Sequence, residues 1–417
     1  MDTLTDRPSA DAPPDKLWQR NFIAYIAQRS TNTMSVQMQT VAVGWMVYDL
    51  TGDPMDLGLV GLAQFAPAFA LFLITGLVAD RYERRNIIAV CCIFQLLASS
   101  ALGWLALSGA TTVWPVYVLL LIVGSARAFY FPTTQSLLPS LVPRRLFTNA
   151  VGYNSSFNKA SQIGGPILSG FLIAWIGYWV FVVVVAFVVI SMIAVLFIRP
   201  RSDTAQRRAN KVDLDAVLGG FRYVWANKTI LGAISIDLFA VLFGGVMGML
   251  PIFASDILKV GADGLGIMRA MPGVGALATG ILLSQIPAPG RMGWLLFGTL
   301  AVFGGSIVVF SLSTTFWLSL AALAVYGAAD MVSIYVRTAI VQLSTPDEMR
   351  GRVGAVNGVF INASNELGDF RAGAMAAFIG VVPAVAIGGA VTLGVAAAWL
   401  KLFPDLRKVD RMDTSGD

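Results

Sequence analysis

The sequence predicts an all-α polytopic membrane protein with twelve transmembrane helices in two pseudo-symmetric six-helix halves. Three observations carry that prediction. Of 417 residues, 56% are hydrophobic and only 13% charged, where soluble chains average about a quarter charged. Long apolar runs recur, among them 173–198, 295–312 and 381–400, each close to the ~20 residues that cross a ~30 Å hydrocarbon core. One long polar stretch, 199–228, divides the chain and leaves six candidate helices on each side.

Turn and charge punctuation place the first six spans at 21–48, 57–79, 87–108, 113–138, 148–174 and 177–198. The second six fall at 229–256, 263–286, 293–312, 315–343, 351–378 and 380–402. The expected organisation is an N-terminal bundle (1–198), a linker (199–228) and a C-terminal bundle with a short tail (229–417). The first twenty residues are polar and lack the apolar core of a cleaved signal peptide.

Orientation follows from charge. The linker holds Arg199, Arg201, Arg207, Arg208, Lys211, Arg222 and Lys228. Loops on the opposite side hold Asp49, Asp53, Asp56, Asp256 and Asp263, with only Lys259 and Arg269 nearby. The positive-inside rule then puts both termini in the cytoplasm of a cell (inner) membrane. The net charge of +5 reflects this topology, and nucleic acid is not an expected partner.

Several chemistries are excluded. There is no histidine, so haem ligation, histidine metal sites and histidine general bases are not expected. Cys91 and Cys92 sit together in an apolar run and read as small core residues. No Gly-x-x-x-x-Gly-Lys-Ser/Thr phosphate loop occurs, so ATP is not the driver. No Gly-x-Ser-x-Gly element supports hydrolysis. The expectation is a non-enzyme without cofactor or metal.

The halves resemble each other. "SLVPRRLFTNAVGYNSSFNKAS" after the fourth span parallels "QLSTPDEMRGRVGAVNGVFINAS" after the tenth, each with a proline, a charged loop, Ala-Val and a polar helix start. Duplicated six-helix units are a transporter signature, with the site between the repeats.

The first span is unusually polar. Residues 28–40 read "QRSTNTMSVQMQT", and helical spacing sets Thr33, Gln37, Thr40 and Gly44 on one face. Asn32, Ser35 and Gln39 can bond neighbouring helices. The face reads as the lining of a solute cavity, with interhelical polar packing as the alternative.

Charges inside the spans point the same way. Spans three, six, nine and twelve are clean before their last turn, as expected of lipid-facing helices. Spans one, four, five, seven, ten and eleven carry Arg29, Arg127, Lys159, Asp237, Asp330, Arg337, Glu366, Asp369 and Arg371. Each intramembrane charge costs ~2.5–3.5 kcal/mol or more, so it faces a cavity or a partner. At 1.5 Å per residue, Arg127 and Lys159 both lie roughly 16 Å from the cytoplasmic face. Asp237 and Arg337 share a level at roughly 10 Å and are expected to pair, as a structural or gating contact. Glu366 and Asp369 share one helix face, and one of them, or Asp330, is the expected proton carrier. Sorted by half, a basic wall (Arg29, Arg127, Lys159) faces a mainly acidic one, which suits an anionic or amphoteric solute. The candidate cavity set is Arg29, Asn32, Thr33, Gln37, Thr40, Arg127, Lys159 and Asp330.

"GLVADRYERRNII" after the second span has Gly76, Asp80, Arg81, Arg84 and Arg85 at defined spacing. It resembles the cytoplasmic loop motif of the major facilitator superfamily, with Glu83 where many members have glycine. "GILLSQIPAPGRMG" keeps Gly280 and Arg291 but has Ser284 at the aspartate position, a degenerate second copy. "GGPILSG", with Gly165, Pro166 and Gly170, looks like the fifth-helix motif of antiporters in that superfamily; a kinked, closely packed helix accounts for it equally. Arg127 matches a functional arginine of drug–proton antiporters by position only. "VYDLTGDPMDLGL", "ADRYERR" and "LPSLVP" together resemble the enterobactin-exporter-like branch, over most of the N-terminal half.

The resemblance implies the major facilitator fold, alternating access, and a cytoplasmic loop motif that stabilises the outward-facing state. It favours export of a small siderophore-like or drug-like solute by proton antiport. Proton-coupled import on the same fold is the alternative, and a non-transporting sensor or scaffold is a further one. The expected partners are a small-molecule substrate, protons and the lipid bilayer. One chain supplies both halves, so a monomer is expected.

Overall fold

The computed structural model describes residues 17–109, 111–199, 214–285 and 291–407. The first six long helices are α1 (Arg20–Thr51), α2 (Pro54–Arg81), α3 (Arg84–Leu107), α4 (Trp114–Leu141), α5 (Phe147–Ile176) and α6 (Val180–Phe197). After α7 (Leu214–Ala226) come α8 (Lys228–Gly244), the single turn α9 (Leu250–Ile252) and α10 (Gly261–Gln285). The chain then forms α11 (Met292–Leu312), α12 (Phe316–Leu343), α13 (Asp347–Ile379), α14 (Val381–Leu402) and the short α15 (Pro404–Arg407).

Local chemistry sets the boundaries. Gly52 ends α1 at φ 62°, its N–H donating to the Tyr48 carbonyl, a left-handed cap that suits a residue without a Cβ. Asp53 then caps α2 by accepting from the Met55 N–H, with Pro54 at the first helical position. Asn227 caps α8 through the Thr229 and Ile230 N–H groups.

Nine stretches of the described residues are long and apolar enough to cross a membrane. One of them, Phe147–Phe197, holds both α5 and α6, and the set omits α1 and α13. Both omitted helices carry polar side chains within the span: residues 28–40 in α1, and Asn365, Glu366 and Asp369 in α13. Such helices fit a bilayer only when that face turns inward.

Helix pairing repeats. In the first group α1 packs on α5 and α6, α2 on α4, and α3 on α4 and α6. In the second, α8 packs on α13 and α14, α10 on α12, and α11 on α12 and α14. The same pairings recur six spans later, so the two groups share one arrangement. The groups meet where α2 packs on α13 and α5 on α10, which are equivalent pairs under that repeat.

One end of the bundle carries Asp49, Asp53, Asp56, Asp256 and Asp263; we term it the acidic rim. The other carries Arg81, Arg84, Arg85, Arg350 and Arg352 and is the basic rim. Contact between the groups is tight toward the acidic rim. A Cβ on Gly170 would stand 2.8 Å from Gly266 Cα, and one on Gly373 would stand 2.7 Å from Gly58 Cα. With no hydrophobic drive between helices in lipid, such small-residue crossings let backbones approach closely. Tyr48 of α1 also donates a hydrogen bond to Asp256.

Two spans differ from expectation. Residues 214–226 of the polar linker form a helix on α13, where Val224 is buried and the Phe221 ring packs tilted against Phe360 at 6.1 Å between centroids. The seventh span is not one helix. α8 stops at Gly244, Gly245 adopts an extended ψ of 119°, and a 3₁₀ turn (Met247–Met249) leads through α9 into a π-helical turn (Phe253–Ile257). Paired glycines and Pro251 supply the physical reason, since both weaken helix continuation.

Candidate functional site

A cavity of about 270 Å³ lies between the two helix groups. Its polar lining comes from Gln37 and Thr40 of α1, Gln64 of α2, Arg127 of α4, Arg269 of α10, and Asn365, Glu366 and Asp369 of α13. Met247, Gly248 and Pro251 of the interrupted seventh span complete one wall. Helices α3, α6, α11 and α14, the four expected to face lipid, contribute none of the lining residues.

The charges cross the group boundary. Arg127 Nη1 lies 3.8 Å from Glu366 Oε1, and about half of the Arg127 side chain is accessible. That separation is long for a charge-assisted bond. Asp369 Oδ1 accepts from the Gly248 N–H at 3.0 Å. Arg269 Nη1 donates to the Met247 carbonyl at 3.2 Å. Arg371 Nε and Nη2 donate to the Leu242 and Phe243 carbonyls at 3.1 and 2.6 Å. Interrupting a helix in a membrane strands backbone groups that are expensive to leave unpaired. Here three charged side chains satisfy four of them. Arg371 is thereby a brace for the end of α8.

Helix α1 sorts its polar residues by face. Gln37, Thr40 and Gly44 line the cavity. Thr33, expected on the same face, donates instead to Asn158 Oδ1 of α5 at 2.8 Å. Asn32 departs from its expected place as a cavity residue. It is 3% exposed and donates to Gln95 Oε1 of α3 at 2.7 Å. Ser99 of α3 bonds Gln39 Oε1 at 2.5 Å below it. Position 32 lies about 100° around the helix from 33, which turns it away from the solute path.

Three other expected lining residues lie away from this cavity. Arg29 Nη1 donates to the Tyr25 hydroxyl at 3.2 Å. Lys159 Nζ, exposed, donates to Gln162 Oε1 at 3.2 Å. Asp330 lies within electrostatic reach of Asp237, Arg337 and Lys159. Arg337 Nη1 stands 2.6 Å from Asp237 Oδ2, with both side chains buried, and its Nε donates to Ser333 Oγ at 3.3 Å.

The fifth-helix motif has two neighbours. A Cβ on Gly165 would meet Gln37 Cβ of α1 at 2.7 Å, while Gly170 and the Pro166 carbonyl meet Gly266 of α10. In the loop motif, Arg84 Nη1 donates to the Ser136 carbonyl at 2.8 Å and Arg85 Nη2 to the Leu196 carbonyl at 2.9 Å. Arg81 is exposed in the last turn of α2. At Gly76 and Asp80 the structure describes the helical backbone alone, so what the motif implies for these two residues lies outside the described side chains.

Sequence reasoning missed Arg269. In the sequence it follows Asp263 closely and reads as part of an outer loop, yet it sits eight residues into α10, about 12 Å deep at 1.5 Å per residue. With Arg269 in place, the expected division into a basic and an acidic wall changes. Both Arg269 and the carboxylates come from the second group.

A family model described as a transmembrane secretion effector matches residues 17–416. Macrolide efflux protein A of Streptococcus pyogenes is 22% identical over 398 residues, covering 94% of this chain and 98% of that protein. Enterobactin exporter EntS of Escherichia coli is 25% identical over 366 residues, covering 87% and 85%. Among solved structures, a bacterial homologue of the human lysosomal transporter Spinster, in an inward-facing, unoccupied conformation, aligns with a TM-score of 0.73. It is 17% identical and covers 94% of this chain and 98% of that one. A D-xylose–proton symporter aligns at 0.70, with 13% identity and coverage of 92% and 98%. These two alignments identify the fold.

Proposed function

We propose a function from the premise that this chain belongs to the transmembrane secretion effector family of the major facilitator superfamily, a family of multi-pass membrane transporters. Our reading is export of a small amphipathic or anionic solute by alternating access, driven by proton antiport where the solute also carries a cationic group. The observation that carries it is the cavity between the helix groups, where Arg127 of one group faces Glu366 of the other at 3.8 Å. A volume of about 270 Å³ sits just below the roughly 300–1,000 Å³ range of small-molecule sites. The efflux proteins among the relatives support the outward direction.

The rest of the reading follows from topology. The basic rim is cytoplasmic, both termini lie on that side, and the membrane is the bacterial inner membrane. The protein divides as 1–198, 199–228 and 229–417 and works as a monomer, with neither ATP nor nucleic acid as a partner. The conformation described here, tight toward the acidic rim, loads from the cytoplasm.

Charge sets the sign of coupling. A solute with a cationic group competes with protons for Glu366 and Asp369, because either occupant neutralises the same carboxylates. Competition for one site is the simplest physical basis of antiport. The solute's anionic or polar end then sits on Arg127 and Arg269. A solute with anionic groups alone would bind Arg127 best when Glu366 is protonated, and would travel with the proton.

The test is proton flux in proteoliposomes holding the purified protein, with an imposed pH gradient and a pH-sensitive dye. A catecholate siderophore, a carboxylate siderophore, a macrolide and a lipophilic cation are added in turn. Solute-dependent collapse of the gradient is expected with at least one of them, and the sign of the flux separates antiport from symport. No response to any, with a control transporter responding, would remove siderophore and drug export from first place.

A further inference from the structure

The geometry points to Asp369 as the residue that couples the cavity to closure of the acidic rim, acting as a latch on the interrupted seventh span through the Gly248 N–H. The inference rests on the exporter reading for the direction of transport and leaves the exchanged proton on Glu366, because a proton on Asp369 holds the acidic rim open and only an ionised Asp369 lets the rim close around a protonated Glu366. Its chain of contacts is continuous. Asp369 lines the cavity and accepts from Gly248 at 3.0 Å. Glycine at 248 leaves room for this approach, since a Cβ there would lie 3.0 Å from both Cβ and Cγ of Asp369 and would push the carboxylate back by a few tenths of an ångström. One residue earlier on α13, a Cβ on Gly245 would stand 2.6 Å from the Gly368 carbonyl carbon, so α13 presses directly on the break.

Beyond the break, the same span carries the contacts that close the acidic rim. Pro251 packs on Gly44 of α1, where a Cβ would stand 3.5 Å away. Asp256, in the π-helical turn, receives the Tyr48 hydroxyl of α1. Segment 247–257 is thus held at one end by Asp369 and at the other seals α1. Arg371 keeps the α8 side of the break fixed through the Leu242 and Phe243 carbonyls. Movement therefore concentrates at residues 245–248.

The latch responds to the cavity because its carboxylate lies in it. A charge-assisted hydrogen bond is roughly twice as strong as a neutral one. When a proton from the cavity neutralises Asp369, the bond to Gly248 weakens and so does the attraction of Asp369 for Arg269. The charged and titratable groups that face Asp369 are Glu366 and Arg371 on its own helix, Arg269 on α10 and Tyr326 on α12, with Arg127 of α4 acting through Glu366. Release lets 249–257 leave α1 and opens the acidic rim while the α8 anchor holds.

The test needs no solute. Full-length protein with Leu57→Cys, in a Cys91→Ala/Cys92→Ala background, is reconstituted in liposomes. Leu57 lines the cavity and is 3% exposed. A membrane-impermeant maleimide is added on the acidic-rim side at pH 8 and pH 5.5, each rate being normalised to the denatured chain at that pH. The parent should label at least tenfold faster at pH 5.5. Asp369→Asn should label fast at both pH values, and so should Gly248→Ala, whose new methyl displaces the carboxylate. Tyr48→Phe should label faster yet keep the pH ratio, because its latch is intact. A parent rate unchanged by pH, or Gly248→Ala and Asp369→Asn labelling as the parent does, would overturn the proposal. Should Asp369→Asn fail to fold, the parent and Gly248→Ala decide. PH-dependent labelling in a protein that carries no tested solute would leave the latch standing and the exporter reading without support.

Discussion

Arg337 and Asp237 form a 2.6 Å ion pair between α12 and α8, with each side chain only 6% accessible. The pair lies inside the second helix group, and neither residue lines the cavity. Removing one partner of such a pair leaves an uncompensated buried charge, at a cost of about 3–5 kcal/mol. Asp237→Ala should therefore lower thermal stability in detergent strongly. The double variant Asp237→Asn/Arg337→Gln should recover at least half of that loss. Transport per folded molecule should stay near the parent value in the double variant. A double variant that is stable but inactive would make the pair part of the transport cycle.

The α5–α10 crossing makes a second prediction. A Cβ on Gly170 would stand 2.5 Å from the Ala262 carbonyl oxygen, and a Cβ on Gly266 would stand 2.5 Å from the Pro166 carbonyl oxygen. Neither contact is to a flexible side-chain tip, so the helices must separate. Gly170→Val and Gly266→Val should each keep the acidic rim from closing and reduce transport at least tenfold. Labelling of a cavity cysteine from the acidic-rim side should rise in the same variants. Gly298→Ala is the control, because nothing lies within 4 Å of its added Cβ.

The Arg127–Glu366 contact makes a third. Glu366→Gln removes the titratable group while keeping its size. Solute-driven proton flux should be lost, whereas exchange of labelled for unlabelled solute across the membrane should persist. Arg127→Ala should weaken solute binding at least tenfold in both assays. Equal loss of flux and exchange in Glu366→Gln would mean that the carboxylate binds solute without carrying the proton.

Much of this architecture is legible in the residues, for physical reasons. Span number and the repeat follow from hydrophobic length, and helix α1 advertises its role because a bilayer tolerates residues 28–40 only beside a cavity or polar partners. Depth along two helices set Asp237 and Arg337 at one level. Rotation was harder to read: adjacent positions 32 and 33 point about 100° apart, and which of them meets Gln95 depends on how α3 sits. The break after Gly244 was also hidden. Gly244, Gly245 and Pro251 mark weakness, but a broken helix survives only where other spans satisfy its backbone, and Asp369, Arg371 and Arg269 come from α13 and α10. Asp263 close ahead of Arg269 made that cation look like part of a loop.

Arg269 supplies the last prediction. Its guanidinium lines the cavity and donates to the Met247 carbonyl at 3.2 Å, so it serves solute and backbone together. Arg269→Lys keeps the charge but loses the planar fork that can reach a carbonyl and a solute at once. Solute affinity should fall several-fold in Arg269→Lys, with the protein still folded and still exchanging solute. Arg269→Met keeps the apolar stem but leaves the Met247 carbonyl unpaired and takes one cation away from the two carboxylates, leaving Arg127 and Arg371. An unsatisfied buried backbone group costs about 1–3 kcal/mol, so stability should drop as well as binding. With less positive charge nearby, Glu366 and Asp369 hold protons more readily, and the pH at which solute-driven proton flux is half-maximal should move upward. Solute binding measured by calorimetry, together with flux recorded between pH 5.5 and 8.5, separates the two effects. An unchanged midpoint in Arg269→Met would place Arg269 in the scaffold of the break and outside the coupling machinery.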